Sequence, residues 1–543
     1  MESAANWLAY RRSWLRFDRD KRRMIRRPES IFAAVAFLGC VLLTSANLIA
    51  TSGHILFTQD DPYIHLALAQ RLLDSAHYGL NPGEASAPAS SILYPFLLVP
   101  LLWLGLGPAA ALLINLLAAS TTAALICAVL RAGGYAVDQM RTATLVVIAA
   151  AWLVGFNVYA VALTGMENEL AAALSLAVLL GLISLFAENW VRWFLPIAAA
   201  LLPLVRYEGA GLWLICVAAL TLRRRHLAAC ATLLPTAFAL AGFSLFLLRH
   251  GLPALPSSVL TKASSGTFGS NSAAGNALAI IINNARANLA NTDAWPLLAL
   301  IVANLAALAA PTLRRTAGIA PLAVTGATVC LAHVLAGKFG GFGRYQAYAE
   351  IFGALTAAIC FAKFAAPVVA RKSVLANALF AALPVILFPK SILYCLAPPL
   401  AAQNLYSQQY QLHRFQTAFW RAPAGANDIG ELSYNNPYYV LDYAGLGNEQ
   451  ARLAHAAAKD ASWMDDLARQ HGVQLVMIFP AWFPKIPPQW RLVAELHLNM
   501  VNVIAGDAVV DFFALTPAAA DRLAPMLPRF AAGLPETAKL VVK

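Results

Sequence analysis

The stretch that decides the fold runs from Ile31 to Pro62 and reads IFAAVAFLGCVLLTSANLIATSGHILFTQDDP. Its first part, residues 31–52, is almost wholly apolar and reaches the length of about 20 residues that a helix needs to cross a bilayer. Two adjacent acids, Asp60 and Asp61, follow shortly afterwards. The stretch therefore predicts a membrane span that delivers two carboxylates to the membrane surface.

The composition of the whole chain supports a membrane protein. Of its 543 residues, 60% are hydrophobic and only 12% are charged, whereas soluble proteins carry about 25% charged residues. All seven cysteines lie in or beside apolar segments and none forms a CxxC pair. The cysteines therefore indicate neither a disulfide framework nor a metal site.

The net charge of +12 comes largely from basic clusters between apolar stretches. Such clusters hold loops on the cytoplasmic side of a membrane, so we expect no nucleic-acid partner. The clusters are Arg11, Arg12, Arg16, Arg19, Lys21, Arg22, Arg23, Arg26 and Arg27; Arg223, Arg224 and Arg225; Arg314 and Arg315; and Arg371 and Lys372.

The hydrophobic pattern predicts an α-helical polytopic membrane protein with about eleven spans, an inside N-terminus and an outside C-terminus. The predicted spans are 31–52, 108–130, 142–163, 170–187, 193–205, 209–222, 227–248, 294–313, 317–337, 349–370 and 374–394.

The stretch 193–222 decides the sidedness of the later loops. It is interrupted by Arg206-Tyr207-Glu208-Gly209, and a single span would place an Arg and a Glu near mid-bilayer at a cost of a few kcal/mol each. Two short helices forming a hairpin instead place every basic cluster inside. The pattern therefore predicts a hairpin whose tip faces outward and lines a cavity.

Three regions follow from this topology. Residues 1–30 form a basic cytoplasmic N-terminal segment, and residues 31–395 form a transmembrane module whose first outer loop is 53–107. Residues 396–543 have a soluble composition with helical stretches, strand-like runs such as Val473–Phe479 and Met500–Ile504, and Pro-rich turns. They predict a small extracytoplasmic α/β domain.

The outward loops collect the ionisable residues. Two carboxylates beside lipid are costly unless they have a partner or a task. One of Asp60 and Asp61 could simply cap the helix that begins near Pro62, but that leaves the other acid and His65 unexplained. The other outward candidates, each of which also has a plain structural explanation such as a cap, an internal ion pair or a surface cation, are Glu167, Arg206, Glu208, Lys262, Arg344 and Tyr345.

These residue types suit one kind of chemistry at one outward cavity. A carboxylate removes a proton from a hydroxyl, and Arg or Lys neutralises a phosphate. The acids Asp60, Asp61 and Glu167 are alternatively candidate ligands of a divalent cation such as Mg²⁺, Mn²⁺ or Ca²⁺. The sequence leaves the need for a metal open.

The order of motifs resembles GT-C fold glycosyltransferases of the bacterial arabinofuranosyl- and mannosyltransferase-like group. Asp60-Asp61-Pro62-Tyr63, Ala69–Leu72, Asn81-Pro82-Gly83-Glu84 and Ser90–Pro95 are similar to the first outer loop of that group. Further similar elements are Thr164–Glu167, Leu204–Gly209, Leu255–Lys262, Gly343–Tyr345, Asp428–Gly430 and Val440–Leu446. The chain departs from the pattern at Tyr207, Glu208 and Ser90–Tyr94.

The resemblance implies an enzyme that moves a sugar from a polyprenyl-phosphate donor to a hydroxyl of a cell-envelope glycan or lipid. It implies a first-loop acid, Asp60 or Asp61, as general base. The residues of the outward loops that we predict to bind the substrates are His65, Glu167, Arg206, Glu208, Lys262, Arg344 and Tyr345. The expected location is the outer face of a bacterial inner membrane. The alternative is a transporter or flippase of a lipid-linked glycan, for which ionisable residues should lie along the middle of the spans.

Overall fold

The computed structural model describes residues 27–264, 277–370, 373–458 and 460–543. Most of the predicted segment 1–30 and the cluster Arg371-Lys372 therefore lie outside the described residues. The helices before the sheet domain are α1 (Pro28–Ala50), α2 (Asp61–Ser75), α3 (Leu93–Trp103), α4 (Ala109–Ala132), α5 (Thr142–Gly155), α6 (Val158–Leu163), α7 (Asn168–Glu188), α8 (Phe194–Val205), α9 (Ala210–Leu222), α10 (His226–Arg249), α11 (Ser257–Ser264), α12 (Ala277–Ala290), α13 (Trp295–Ala309), α14 (Pro311–Arg314), α15 (Ile319–Ala336), α16 (Ala347–Cys360), α17 (Ala362–Ala370), α18 (Val374–Leu387) and α19 (Lys390–Leu396).

Each predicted span corresponds to apolar helix, but the helices differ in length. Within the described ranges, six are long and apolar enough to cross a membrane: α1, α4, α7, α10, α15 and α13 with the turn before it. The pairs α16–α17 and α18–α19 are bent by 81° and 83°, so 349–370 and 374–394 are not straight spans. Counting each bent pair once gives eight. The remaining apolar helices are shorter, and the count of eleven stays a prediction.

The stretch 193–222 folds as the predicted hairpin. Helices α8 and α9 are separated by a single 3₁₀ turn, Tyr207–Gly209. Just beyond the end of α9, Arg223 Nη2 donates to the carbonyl of Phe186 at 3.0 Å, and Arg225 bonds the carbonyl of Asn189, close to where α8 begins. The start of α8 and the end of α9 thus lie beside the end of α7. Arg206, at the turn between the two helices, lies at the opposite end of the hairpin.

The basic loops of the described chain gather at the end of the bundle away from Arg206. Arg131 forms an ion pair of 2.5 Å with Glu29, and Tyr135 Oη donates to the carbonyl of Ala358 at 3.0 Å. A Cβ on Gly318 would lie 3.0 Å from the backbone nitrogen of Ala187, so the loop after Arg314 and Arg315 joins the same end. This clustering follows the charge rule that predicted the topology.

The C-terminal part contains a mixed six-stranded sheet. Its strands are β1 (Ala424–Ala426), β2 (Val440–Asp442), β3 (Leu475–Ile478), β4 (Arg491–Leu498), β5 (Val509–Ala514) and β6 (Ala538–Val542). Its helices are α20 (Pro398–Ser407), α21 (Gln409–Arg414), α22 (Gly430–Ser433), α23 (Glu449–Ala457), α24 (Ser462–Gln470), α25 (Pro517–Leu523) and α26 (Met526–Ala531), with a π-helical turn at Phe415–Trp420.

The strand order is β2-β1-β3-β5-β4-β6, with β1 parallel to β2 and β3 and the other pairs antiparallel. The strand expected at Val473–Phe479 is present as β3. The run Met500–Ile504 is not a strand: it is the connection between β4 and β5, where the backbone amides of Val503 and Ile504 bond the Asn404 side chain. The strand β4 carries charged residues, so a search for apolar runs does not find it.

The first outer loop packs into the core of the sheet domain. Buried residues of the loop and α2, such as Phe57 and Leu66, belong to one apolar cluster with Phe415 and Phe512 of the domain. The polar contacts agree, since Asn81 exchanges two hydrogen bonds of 2.9 Å with the backbone of Val440. The loop and the domain therefore form one unit that covers the end of the bundle where Arg206 lies.

Candidate active site

The site is built around Glu167, which is fully buried in the short loop between α6 and α7. Its Oε1 accepts from Arg206 Nη1 at 2.9 Å and from Ser90 Oγ at 2.7 Å. Its Oε2 lies 3.3 Å from His65 Nε2. Burial alone raises the pKa of Glu167, but His65 and Arg206 outweigh burial and lower that pKa well below its usual value, so the group is an anion.

The turn that presents Glu167 depends on Gly165. This glycine has a φ of +72°, and a Cβ there would lie 2.5 Å from the ring of Phe57. Only glycine fits this position, because both the left-handed backbone and the close ring exclude a side chain. The turn thereby fixes Glu167 against helix α2, which carries His65.

Arg206 lies at the tip of the α8–α9 hairpin and is 2% exposed. Besides Glu167, it donates from Nη2 to Glu208 Oε1 at 2.7 Å, and its guanidinium lies 5.6 Å from the centre of the Tyr345 ring. A buried guanidinium is tolerated because two carboxylates and an aromatic face surround it. The predicted sunken tip is therefore occupied by a neutralised cation.

Arg344 is presented by a loop in an unusual backbone conformation. Gly340, Gly341, Phe342 and Gly343 all have positive φ angles, from +56° to +109°. Residues from other segments hold this loop in place. Gln59 Nε2 donates to the carbonyl of Gly341 at 3.0 Å, and Asn157 Nδ2 donates to the carbonyl of Phe342. A left-handed phenylalanine is costly and persists only where its surroundings enforce it.

The guanidinium of Arg344 is 5% exposed and connects the first outer loop to the rest of the site. Its Nη2 forms an ion pair with Asp61 Oδ2 and donates to Tyr345 Oη at 2.8 Å. Its carbon Cζ lies 4.8 Å from the centre of the Tyr345 ring. Tyr345 therefore contacts two guanidiniums, and we call Asp61, Arg344, Tyr345, Arg206, Glu208, Glu167 and His65 the arginine network.

Asp61 is the most exposed acid of this network, ahead of Glu208 at 28%. Its side chain is 41% exposed, whereas the Glu167 side chain is 0% exposed. An exposed carboxylate beside a buried, fixed guanidinium offers a proton acceptor next to an anion-binding group.

Asp60 has a different environment. It is buried, and its Oδ1 and Oδ2 accept from the backbone amides of Glu431 and Gly430, with the Glu431 bond at 2.8 Å. Burial and the neighbouring Asp428 carboxyl raise the pKa of Asp60 well above its usual value. Asp60 makes no side-chain hydrogen bond that caps α2, so that structural explanation is wrong for Asp60. Its carboxyl instead accepts from the first two amides of α22, a helix of the sheet domain.

Most of the predicted site residues come together, with two exceptions. Asp61, His65, Glu167, Arg206, Glu208, Arg344 and Tyr345 form the network, whereas Asp60 contacts the sheet domain. Lys262 lies in α11, but its side chain is outside the described residues.

The acids Asp60, Asp61 and Glu167 do not fit a shared metal site as they are arranged. Asp60 faces two amides, Asp61 faces Arg344, and Glu167 faces Arg206 and His65. In the described part of the chain, no group of three or more His, Cys, Asp or Glu is placed to hold a metal ion. The divalent cation therefore stays a prediction without a ligand set.

Sequence reasoning missed the residues that hold the network in place. Ser90 bonds Glu167, Asn168 Nδ2 donates to the carbonyl of Arg344 at 2.9 Å, and Gln59 and Asn157 anchor the glycine-rich loop. Gln59, Ser90 and Asn168 lie beside or within the quoted motifs, which was the available signal. Asn157 had none, because its role depends on a contact 185 positions away in the chain.

Comparison with known proteins gives one domain match and several structural matches. Residues 403–513 match a domain of unknown function, DUF8728. No curated protein matches the chain by sequence.

The solved structures similar to this chain include the oligosaccharyltransferase of Archaeoglobus fulgidus. Its apo crystal structure is 12% identical over 92% of this chain and 75% of that chain, with a TM-score of 0.47. The complex with zinc and sulfate is 10% identical over 89% and 73%, with a TM-score of 0.46. The complex with an inhibitory peptide and a dolichol-phosphate is 9% identical over 90% and 74%, with a TM-score of 0.44.

Proposed function

We propose that the protein is a membrane glycosyltransferase that moves a sugar from a polyprenyl-phosphate donor to a hydroxyl of a cell-envelope glycan or lipid. The observation that carries the proposal is the contact between Asp61 and Arg344 at the end of the bundle away from the basic loops. The charge rule supports an outward orientation of that end, and we propose that the reaction takes place on the outer side of a bacterial inner membrane.

In this proposal Asp61 is the general base. It is the most exposed acid of the network, so an acceptor hydroxyl can approach it, and its ion pair with Arg344 keeps it ionised. Asp60 cannot take this role without losing its two hydrogen bonds from backbone amides, which join the loop to the sheet domain. The proposal therefore selects the second acid of the pair.

Arg344 binds the phosphate of the donor and stabilises the charge that develops when the sugar leaves. Its Nε and Nη1 are buried and have no hydrogen-bond partner within the described residues, so the guanidinium retains donors after its bonds to Asp61 and Tyr345. A phosphate that replaced Asp61 on the guanidinium would free that carboxylate for the acceptor.

The pair of Asp61 and Arg344 is held in position by Arg206, Glu167 and His65. The face of Tyr345 lies against Arg344, and Arg206 lies near the same ring. Because Arg206 is already bonded to two carboxylates, we assign it to positioning Tyr345 and Arg344.

The test is complementation of a strain that lacks the gene, with mass spectrometry of its envelope glycans and lipids. The wild-type gene should restore one sugar addition, and Asp61→Asn should not, although the variant is present in the membrane. Restoration by Asp61→Asn would overturn the base assignment. Loss of a whole glycan with its lipid-linked precursor trapped inside would indicate a transporter.

A further inference from the structure

A cavity of about 520 Å³ lies next to the arginine network and is not used by the proposed reaction. It is bounded by the start of α13, the start of α16 and the bend between α18 and α19, and Gly343 and Gln346 form part of its wall. These two residues flank Arg344 and Tyr345, so the segment 343–346 lies between the cavity and the rest of the arginine network. Its volume falls within the range of about 300–1,000 Å³ typical of ligand sites.

One charged group in this cavity has no partner. Glu350 is 8% exposed and lines the cavity, yet its carboxyl makes no hydrogen bond or ion pair with any residue that the structure describes. A buried carboxyl without a partner costs free energy, and native proteins keep few such groups without a use for them. The carboxyl is thus available to a ligand.

The charges around the cavity restrict the ligand. Lys390 is paired with Asp293 and donates to Thr292 Oγ1 at 2.8 Å, so its charge is already compensated. Among the described residues that line the cavity, Lys390 is the one Lys or Arg, and because it is already paired a phosphate head group would find no unpaired cation there. An uncharged hydrogen-bonding group can bond the Glu350 carboxyl without bringing a further charge against the apolar wall.

The remaining wall is apolar and reaches the membrane-facing surface. Leu383 and Ile386 line the cavity and are themselves exposed on the outside of the bundle, and Trp295 and Phe388 add aromatic surface. An apolar opening with a carboxyl inside suits an amphiphile whose tail remains in lipid.

We propose that this cavity binds an uncharged lipid whose head group carries hydroxyls, with Glu350 as the hydrogen-bonding partner. The site is distinct from the arginine network and does not depend on the transferase activity. A hydroxyl bonds a carboxyl in either protonation state, because the carboxyl offers acceptors in both.

The experiment uses the full chain in nanodiscs of dioleoylphosphatidylcholine and measures bound monoglucosyl dioleoylglycerol by native mass spectrometry. Loss of one hydrogen bond to a carboxyl predicts that Glu350→Leu weakens binding about tenfold. Glu350→Gln, which keeps an acceptor, should change it by less than about threefold. Glu188→Leu, an exposed acid at the far end of α7, is the matched control and should bind as the wild type does.

A second variant tests binding in the cavity without changing Glu350, in case the Glu350 variants misfold. Ala299 lines the cavity and is exposed, so Ala299→Phe narrows the cavity without touching the core and should also weaken binding about tenfold. The proposal is overturned if both Glu350→Leu and Ala299→Phe bind the glucolipid normally. It is also overturned if phosphatidylethanolamine or a polyprenyl phosphate binds more tightly than the glucolipid and depends on Glu350.

Discussion

Two acidic regions lie side by side at the end of the bundle where Arg206 lies, and they are organised in opposite ways. In the arginine network, Asp61, Glu167 and Glu208 are each paired with a guanidinium. At the interface between the first loop and the sheet domain, Asp60, Asp428 and Glu431 form no ion pair with any residue in the described ranges.

The difference shows how position determines what a carboxylate can do. Glu167 stays ionised because His65 and Arg206 lower its pKa, whereas the acids of the interface have raised pKa values because burial disfavours their charge. Asp60 and Asp61, adjacent in sequence, belong to different regions because helix α2 begins between them. The four predictions below test this division.

The largest expected effect is that of Asp61→Asn on the rate of sugar transfer. Removing a general base typically costs about 10²–10⁴-fold in rate, with little effect on folding. The measurement is transfer to a hydroxyl acceptor by purified protein. Asp60→Asn is the matched control, and the division fails if the control loses as much rate while remaining folded.

Glu167→Gln should destabilise the protein by about 3–5 kcal/mol, because it leaves Arg206 buried with one carboxylate instead of two. Thermal unfolding in detergent checks this value. Glu208→Gln, at the more exposed partner of the same arginine, should cost less. Equal losses of stability in the two variants would show that the strength of an ion pair with Arg206 does not depend on how deeply its carboxylate is buried.

Asp60→Asn should weaken the attachment of the sheet domain to the first loop by about 0.5–1.5 kcal/mol, since it removes one of the two acceptors that bond the amides of Gly430 and Glu431. Faster limited proteolysis between α19 and β1, at unchanged membrane insertion, is the expected result. Unchanged proteolysis would indicate that the shared apolar core alone holds the two parts together.

The last prediction concerns the dependence of stability on pH. Burial raises the pKa of Glu431 from an ordinary value of 4.5 to about 8, so the folded state holds this proton more tightly than the unfolded chain. The stability from this group is complete below about pH 4.5 and is lost progressively as pH rises to about 8, by about 1.4 kcal/mol per pH unit. Unfolding of Glu431→Gln should lose that dependence, and an unchanged slope would contradict the assignment.

Much of the fold was predictable because apolar length and charge act locally along the chain. The hairpin at 193–222 followed from the cost of burying Arg206 and Glu208 in lipid, and the sheet strand β3 followed from its apolar run. The bends at Phe361 and Phe388 were missed, because apolar composition does not reveal where two helices separate. Strand β4 was missed because its charged residues hide it.

The sequence by itself determined a membrane class, and it predicted the sidedness of the basic loops and a set of candidate ionisable residues, because hydrophobic length and charge act without distant contacts. The tertiary structure decided which acid meets which partner. Asp61 reaches Arg344 across 283 positions and Asp60 reaches Glu431 across 371. Such contacts depend on how helices and the sheet domain pack, and packing fixes the environment that gives each carboxylate its charge.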